Sequence, residues 1–196
     1  MPSVQELLHA AGIGLEASSE PPGLRSDCAR LAAAVRRRNF RALGLVPAGD
    51  DVAVPGPALA LGRALADVSP RSVGVVDALG SWPCAQALLA HAAHDGTPEA
   101  RSWVLDRLAV LTPRTSPAGA ALGQLRAGLA DRWTTFDHLV VDLTGLDHLG
   151  EHVAAYALLD AVALVARSGR TTTSQVRRGL REVPDGRALG VLLTGL

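Results

Sequence analysis

The chain has 196 residues, of which 48% are apolar, 19% are charged and 3% are aromatic, and its nineteen basic residues balance nineteen acidic ones. This length and apolar content suit one domain with its own core, and they exclude a disordered or a collagen-like chain. The zero net charge argues against a protein that mainly coats nucleic acid or an anionic membrane. All nineteen basic residues are arginine, which excludes chemistry that needs a lysine amino group.

The cellular compartment is indicated by cysteine usage and by the absence of targeting patterns. Cys28 and Cys84 are too few for a disulfide framework and lack a CxxC spacing, which favours a reducing environment. The first residues show neither the basic nor the apolar region of a secretory signal. The longest apolar run, Val153 to Ala166, contains Asp160 and is shorter than a membrane span. We therefore expect a cytoplasmic protein without a transmembrane segment.

The first predicted element is a short helix near the N-terminus. Ser3 and Glu6 have the spacing of a capping box, and apolar residues then recur at helical spacing to about Ala11. A stretch rich in Gly, Ser and Pro follows. The sequence thus predicts an N-terminal helix and linker at 1–23 and a main domain at 24–196. Such a helix would suit docking into a groove of another protein.

The main domain alternates predicted helices with short apolar strands. The helices are predicted at 26–38, 58–66, 83–94, 116–131, 151–159 and 171–182, and the strands at 40–46, 72–76, 105–111, 136–143, 161–166 and 188–194. Near-continuous apolar strands between helices are typical of a parallel sheet that is covered on both faces. We predict the α/β class, with a three-layer, doubly wound, mostly parallel sheet.

Ligands of such sheets bind beyond the carboxyl ends of the strands. Three loops leave the predicted sheet there, at 47–57, 77–83 and 142–150. Asp77 and Asp142 each directly follow an apolar strand. Two acids in these places, after a loop that contains glycine behind the first strand, are typical of an NTPase with a metal-bound nucleotide.

Seven stretches in collinear order carry a family resemblance: FRALGLVPAG (40–49), LGRALA (61–66), SVGVVDAL (72–79), LAVLTP (108–113), FDHLVVDLT (136–144), LDAVALVARSGRT (159–171) and LGVLLT (189–194). From about Asp27 onward the chain resembles the cytoplasmic domain of bacterial capsule-type tyrosine kinases (BY-kinases), within the MinD/ParA group of deviant P-loop ATPases. The resemblance implies a P-loop NTPase-like fold. It also implies a role in polysaccharide export or cell-surface assembly, beside a membrane-bound chain-length partner.

The departures from the family pattern fall on the groups that hold the nucleotide. Ala53, Val54 and Pro55 stand where the resemblance places the Gly, Lys and Ser/Thr of the Walker A motif. The loop also contains prolines at 47, 55 and 57, which have no N–H for a phosphate, and acids at 50 and 51, which repel it. We expect neither nucleotide nor any other cofactor to bind at this degenerate loop.

The acids at the strand ends are interpreted as vestiges. The resemblance matches Asp77 to the first acid of the Walker A′ motif and Asp142 to the Walker B acid, while Leu79 replaces the second Walker A′ acid. Without a triphosphate, two isolated acids rarely hold Mg²⁺ tightly. We expect both carboxylates to accept hydrogen bonds from neighbouring loop N–H groups, and we expect no metal site.

Two further family features concern assembly and phosphorylation. The family's C-terminal tyrosine cluster is missing, since Tyr156 is the single tyrosine. The motif that the family uses for ring assembly matches at Asp27 and Arg30, but Ala33 replaces its last arginine. Asp27 and Arg30 are therefore candidate interface residues, and Trp82, on a strand-end loop, is a candidate anchor for a partner.

The leading hypothesis is a catalytically inactive P-loop ATPase-like scaffold or regulatory subunit that binds a protein partner or its own copies. It would be cytoplasmic, with a peripheral position at the inner membrane through its partner. One alternative is a divergent but active ATPase or kinase, in which Arg63, Arg114 or Arg167 replaces the missing lysine. Another is a MinD/ParA-like positioning protein that binds DNA, which the neutral net charge disfavours.

One metal-binding pattern is discounted. His148, Glu151 and His152 fit the order of an inverted zinc-protease motif. Gly150 lies in the middle of the helix that the motif requires, and few residues remain to supply a third ligand. A solvated loop at the start of a helix is the favoured interpretation.

Overall fold

The computed structural model describes residues 2–14, 22–92, 99–114, 121–132, 135–146 and 150–195. In these ranges helices alternate with strands along most of the chain. The helices are α1 (Val4–Ala10), α2 (Pro22–Arg38), α3 (Pro55–Val68), α4 (Ala85–His91), α5 (Ala121–Arg132), α6 (His152–Tyr156) and α7 (Thr173–Glu182). The strands are β1 (Ala42–Pro47), β2 (Ser72–Asp77), β3 (Glu99–Leu105), β4 (Leu108–Pro113), β5 (Phe136–Asp142), β6 (Ala161–Arg167) and β7 (Ala188–Thr194).

The strands form one sheet in the order β3-β4-β2-β5-β1-β6-β7. All neighbouring strands run parallel except β3, which pairs antiparallel with β4. The central strands β1, β2, β4 and β5 are apolar for most of their length and almost fully buried. The predicted class, a mostly parallel α/β sheet, is confirmed.

Two apolar layers cover the sheet because successive strand residues point to opposite faces. On β1, Leu43 and Leu45 belong to the layer that includes side chains of α1, α2, α3 and α4, whereas Ala42 and Val46 belong to the layer of α5 and α6. The three-layer arrangement follows from this alternation. It leaves the carboxyl ends of β1, β2 and β5 side by side, at the edge where the three loops emerge.

Local sequence signals account for two helix starts. Ser3 and Glu6 form both hydrogen bonds of the predicted capping box at the start of α1, and Thr172 and Gln175 do the same at α7. The predicted helix start at Ser116 and Pro117 lies outside the described residues. The described part of this helix, α5, begins at Ala121 and agrees with the predicted helix.

The prediction was wrong at residues 105–111, which were expected to form a single strand. Leu105 ends β3, Leu108 begins β4, and Asp106 and Arg107 form the turn between them. The extra strand, β3, was missed. It is an edge strand that includes Glu99 and Arg101, so it lacks the continuous apolar run by which the buried strands were recognised.

The N-terminal helix is packed into the main body of the protein. Val4 and Leu8 of α1 are buried in the same apolar cluster as Leu88 of α4 and Val104 of β3. Gln5 Nε2 also donates a hydrogen bond to the Val104 carbonyl at 2.9 Å. The expected docking of this helix into another protein is therefore corrected, because its apolar side chains are already buried within the chain.

Within the described ranges, none of the helices combines the length and the apolar character needed to cross a lipid bilayer.

Candidate functional site

The predicted acids meet at the carboxyl edge of the sheet. Asp77 ends β2 and Asp142 ends β5, and the two are paired directly across these neighbouring strands. Their side chains are almost completely buried, with exposed fractions of 1% and 2%. Two carboxylates thus lie side by side in the interior of the protein. Their hydrogen bonds decide whether this cluster is free to bind anything.

Asp77 is held by the loop that follows it. Its Oδ1 accepts a hydrogen bond from the Ser81 N–H at 3.0 Å, and its Oδ2 accepts one from the Trp82 N–H at 2.9 Å. Burial raises the pKa of Asp77 to about 6, although these two N–H groups act in the opposite direction. The nearby Asp142 carboxylate adds to the rise in the pKa of Asp77.

Asp142 is held partly by its own loop. Its Oδ1 accepts hydrogen bonds from the Thr144 N–H at 2.9 Å and from the Thr144 hydroxyl at 2.6 Å. Burial also raises the pKa of Asp142, and the hydrogen bonds from Thr144 and Trp82 lower it in part. The expectation that both acids accept hydrogen bonds from neighbouring loop N–H groups is met at each of them.

Trp82 connects the two acids, a contact that no local sequence pattern specifies. Its indole Nε1 donates to Asp142 Oδ2 at 2.8 Å, while its backbone N–H donates to Asp77. The indole therefore bridges the β2–α4 loop to the end of β5. Trp82 is only 4% exposed, which corrects its interpretation as a surface anchor for a partner. The sequence signal was weak: a tryptophan five residues after an acid that ends a strand.

The first loop also differs from a phosphate-binding loop. Val54, in the position of the expected lysine, is the N-cap of α3 and is fully buried in the apolar core. Pro55 begins α3, and among its first three residues only Gly56 has a backbone N–H. A helix N-terminus binds anions through these N–H groups, so α3 has lost most of that capacity. Ala53 lies just before this turn.

A cavity of about 570 Å³ opens beside the start of α3. Its lining includes Asp51, Ala53 and Pro55 from the first loop, Arg167 from the end of β6 and Ile13 from the chain after α1. The cavity thus combines an apolar wall with one acid and one arginine. Of the arginines proposed to replace the lysine, Arg167 lies here, whereas Arg63 and Arg114 both have other partners within the chain.

These residues do not fit a magnesium nucleotide. The lysine position is a buried valine, the hydroxyl position is a proline, and both acids have partners in the protein. Among the described residues, no group of three or more His, Cys, Asp or Glu side chains could hold a metal ion. Of the discounted zinc pattern, His148 lies outside the described residues and His152 Nε2 lies 3.3 Å from Glu182 Oε2.

The two candidate interface residues lie on another surface. Asp27 and Arg30 form an ion pair one turn apart on α2, and the Arg30 side chain is mostly exposed. They line a groove together with Val191 and Leu193 of β7. The structure therefore places them away from Asp77, Asp142 and Trp82.

Several solved structures are similar to this chain, among them a tyrosine kinase domain, a chimerical protein and a ParA family ATPase. The kinase domain of the Escherichia coli tyrosine kinase ETK is 16% identical with a TM-score of 0.68, over 88% of this chain and 74% of that one. The chimerical protein CapA2B2 is 13% identical with a TM-score of 0.68, over 94% and 89% of the two chains. A ParA family ATPase from Chlorobium tepidum is 17% identical with a TM-score of 0.50, over 79% and 73%. The fold is that of bacterial tyrosine kinase domains and ParA family ATPases.

No protein-family model matches the sequence, and no curated protein matches it either. The structural similarity confirms the P-loop NTPase-like fold that the sequence resemblance implied. At these identities the similarity shows the fold alone.

Proposed function

We propose that this chain is a catalytically inactive member of the P-loop kinase and ATPase fold that acts as a scaffold or regulatory subunit. The observation that carries the proposal is the bridge formed by Trp82. Its indole and backbone N–H occupy Asp142 and Asp77, the two acids that would otherwise serve a metal-bound nucleotide. A metal could reach these oxygens only by breaking hydrogen bonds within the buried cluster, which is costly in a buried site.

The loop before α3 supports the same proposal through charge. Asp51 lines the cavity in which phosphates would have to lie. Two like charges about 4 Å apart repel by roughly 4 kcal/mol at an effective dielectric constant near 20. Millimolar binding is worth about 4 kcal/mol, so a repulsion of this size is enough to abolish it. A lysine that could offset this repulsion is absent from the whole sequence, and the one arginine among the described residues that line the cavity is Arg167, on which the second candidate function below depends.

We propose polysaccharide export or cell-surface assembly as the process, with a membrane-bound protein as the partner. This proposal rests on the resemblance of the seven collinear stretches to BY-kinases. In this proposal the protein is cytoplasmic and reaches the inner membrane through that partner. In this proposal the protein binds its partner and does not catalyse phosphoryl transfer.

Calorimetric titration with ATP and Mg²⁺ at millimolar concentration tests the inactivity. We expect no saturable heat and no release of phosphate, because neither the anion nor the metal finds its ligands. An active P-loop ATPase titrated under the same conditions shows that the assay detects binding. Saturable binding of ATP by the wild-type chain would contradict the proposal.

A second candidate function, a divergent ATPase, is favoured by one observation. Arg167 lines the same cavity as Ala53 and Pro55, where its guanidinium would stand in for the lysine. The variant Arg167→Ala separates the two candidates in the same titration. If the wild-type chain binds ATP and Arg167→Ala does not, the divergent enzyme replaces the scaffold as the better interpretation.

A further inference from the structure

The two outer strands of the sheet are protected to different degrees. β3 carries Glu99 and Arg101, its pairing with β4 shifts register between Trp103 and Leu105, and Gln5 donates to one of its carbonyls. Charges, bulges and covering groups of this kind are the devices by which proteins keep edge strands from pairing with other chains. β3 therefore has the features of a protected edge.

β7 lacks most of these devices. The strand Ala188–Thr194 contains no charged residue and no proline. Its pairing with β6 shifts register at Leu189, and from Gly190 to Thr194 the pairing is regular. In the described part of the chain no strand pairs with the outer side of β7. α2 packs against β7, and the regular part of the strand is an apolar edge at which no described strand pairs.

The direction of these backbone groups follows from the hydrogen bonds to β6. The Thr194 carbonyl accepts from the Ser168 N–H at 2.8 Å, so Thr194 faces β6. Because successive residues of a strand direct their N–H and C=O groups to opposite sides, Leu193 and Val191 face outward. Each of them offers one donor and one acceptor to a further strand. Leu193 is also 43% exposed, which makes its side chain available as well.

A groove flanks this part of the strand. It has a volume of about 540 Å³ and is lined by Val191 and Leu193 of β7, by Asp27 and Arg30 of α2 and by Val176 of α7. An extended segment added to β7 would place its side chains against the apolar part of this lining.

We propose that a second copy of this chain pairs with β7, antiparallel and about a two-fold axis at Leu192. Val191 of one copy then lies opposite Leu193 of the other, and their four N–H and C=O groups per strand satisfy one another. Two-fold axes generate the commonest closed assemblies. Because β7 contains no charged residue, two copies of the strand can pair without bringing like charges opposite each other. This inference does not depend on the proposed inactivity.

The charges at the two ends of β7 are complementary in this arrangement. Arg167 and Arg170 are exposed near the carboxyl end of the strand, and Asp185 is exposed just before its amino end. Arg187, which directly precedes the strand, is half-buried and donates to the carbonyls of Tyr156 and Leu159. An antiparallel pair brings the carboxyl end of one copy beside the amino end of the other. The arginines of each copy then face the acid of its neighbour, which favours the two-fold pair over a parallel one.

Sedimentation equilibrium of the full chain from low to high micromolar concentration tests the pairing. We expect a monomer–dimer equilibrium. Leu193→Lys should raise its dissociation constant at least about tenfold, because two added charges then share one face of the paired strands. Leu105→Lys is the matched control, since Leu105 is similarly exposed on the other edge strand and the charge change is the same. It should leave the equilibrium unchanged.

Amide hydrogen exchange at low and high concentration supplies the second readout. Dimerisation should slow exchange at the N–H groups of Val191 and Leu193, while Leu192 and Thr194, which face β6, should be protected at both concentrations. A wild-type chain that stays monomeric would overturn the proposal. So would a dimer that Leu193→Lys does not weaken, or one that leaves exchange at Val191 and Leu193 unchanged, because the copies would then meet elsewhere.

Discussion

At the scale of single residues, the buried acids are the feature that distinguishes this protein. Asp77 and Asp142 lie on adjacent strands, and each is surrounded by protein donors rather than by solvent. Burial raises both pKa values because it disfavours the charged carboxylate. The stability of the fold is therefore coupled to pH through a pair of groups that the proposed function does not use.

The pH dependence of unfolding tests this coupling. The pKa of Asp77 is about 6 in the folded state and 3.8 as a reference, so the folded chain holds the proton more tightly. Protonated Asp77 therefore contributes to the free energy of unfolding. This contribution is complete below pH 3.8 and is lost as the pH rises through 6, and the free energy of unfolding falls by about 3 kcal/mol at most. Urea titrations between pH 4 and pH 7 should show the free energy of unfolding falling in this window.

Asp77→Asn provides the comparison, because it removes the titrating group. We expect a flatter dependence on pH for this variant, while Asp67→Asn, which removes an exposed acid of α3, controls for the change in net charge. An equally steep decline in Asp77→Asn would show that other groups cause it.

At the scale of elements, α3 shows how one helix can keep its packing and lose its anion-binding end. Its buried residues, among them Leu59, Leu61 and Leu65, hold it against the sheet. Gly62 permits the close approach, since a methyl group there would lie 2.6 Å from Val75 Cγ2 and 3.0 Å from Leu108 Cδ1. The packing of α3 against the sheet therefore depends on a glycine in its interior.

Gly62→Ala should destabilise the protein. The gain in helix propensity is about 1 kcal/mol, whereas overpacking against a stiff valine costs roughly 1–3 kcal/mol. Gly123→Ala in α5 is the matched control, because nothing lies within 4 Å of its added methyl group. It should stabilise the protein by about 0.4–1 kcal/mol. Urea unfolding midpoints measure both, and equal effects of the two substitutions would contradict the close packing of α3.

At the scale of the whole molecule, α1 belongs to the same apolar cluster as the sheet. Leu8 is fully buried, and Ile13 after the helix is buried as well. The division of the chain at residue 23 remains a prediction that unfolding experiments can decide. A helix that contributes core side chains should unfold together with the strands it covers.

Leu8→Ala tests whether residues 1–23 unfold separately from the main domain. The loss of a fully buried leucine should lower the free energy of unfolding by about 2–5 kcal/mol, in a single transition seen by both far-UV circular dichroism and tryptophan fluorescence. His9→Ala, at an exposed position of the same helix, should change it by less than about 0.5 kcal/mol. If Leu8→Ala leaves the main transition unchanged, residues 1–23 form a separate unit.

The sequence by itself determined the class of fold, the approximate places of the buried strands, the cap of α1 and the two acids at the strand ends. Each of these depends on residues close together in the chain: apolar runs, capping pairs and an acid next to a strand. Only the tertiary structure decided that β3 forms a hairpin with β4, that α1 packs into the core and that the Trp82 indole reaches Asp142. These features depend on groups far apart in sequence, such as Trp82 and Asp142, and no local pattern encodes a contact that exists only once the strands lie side by side.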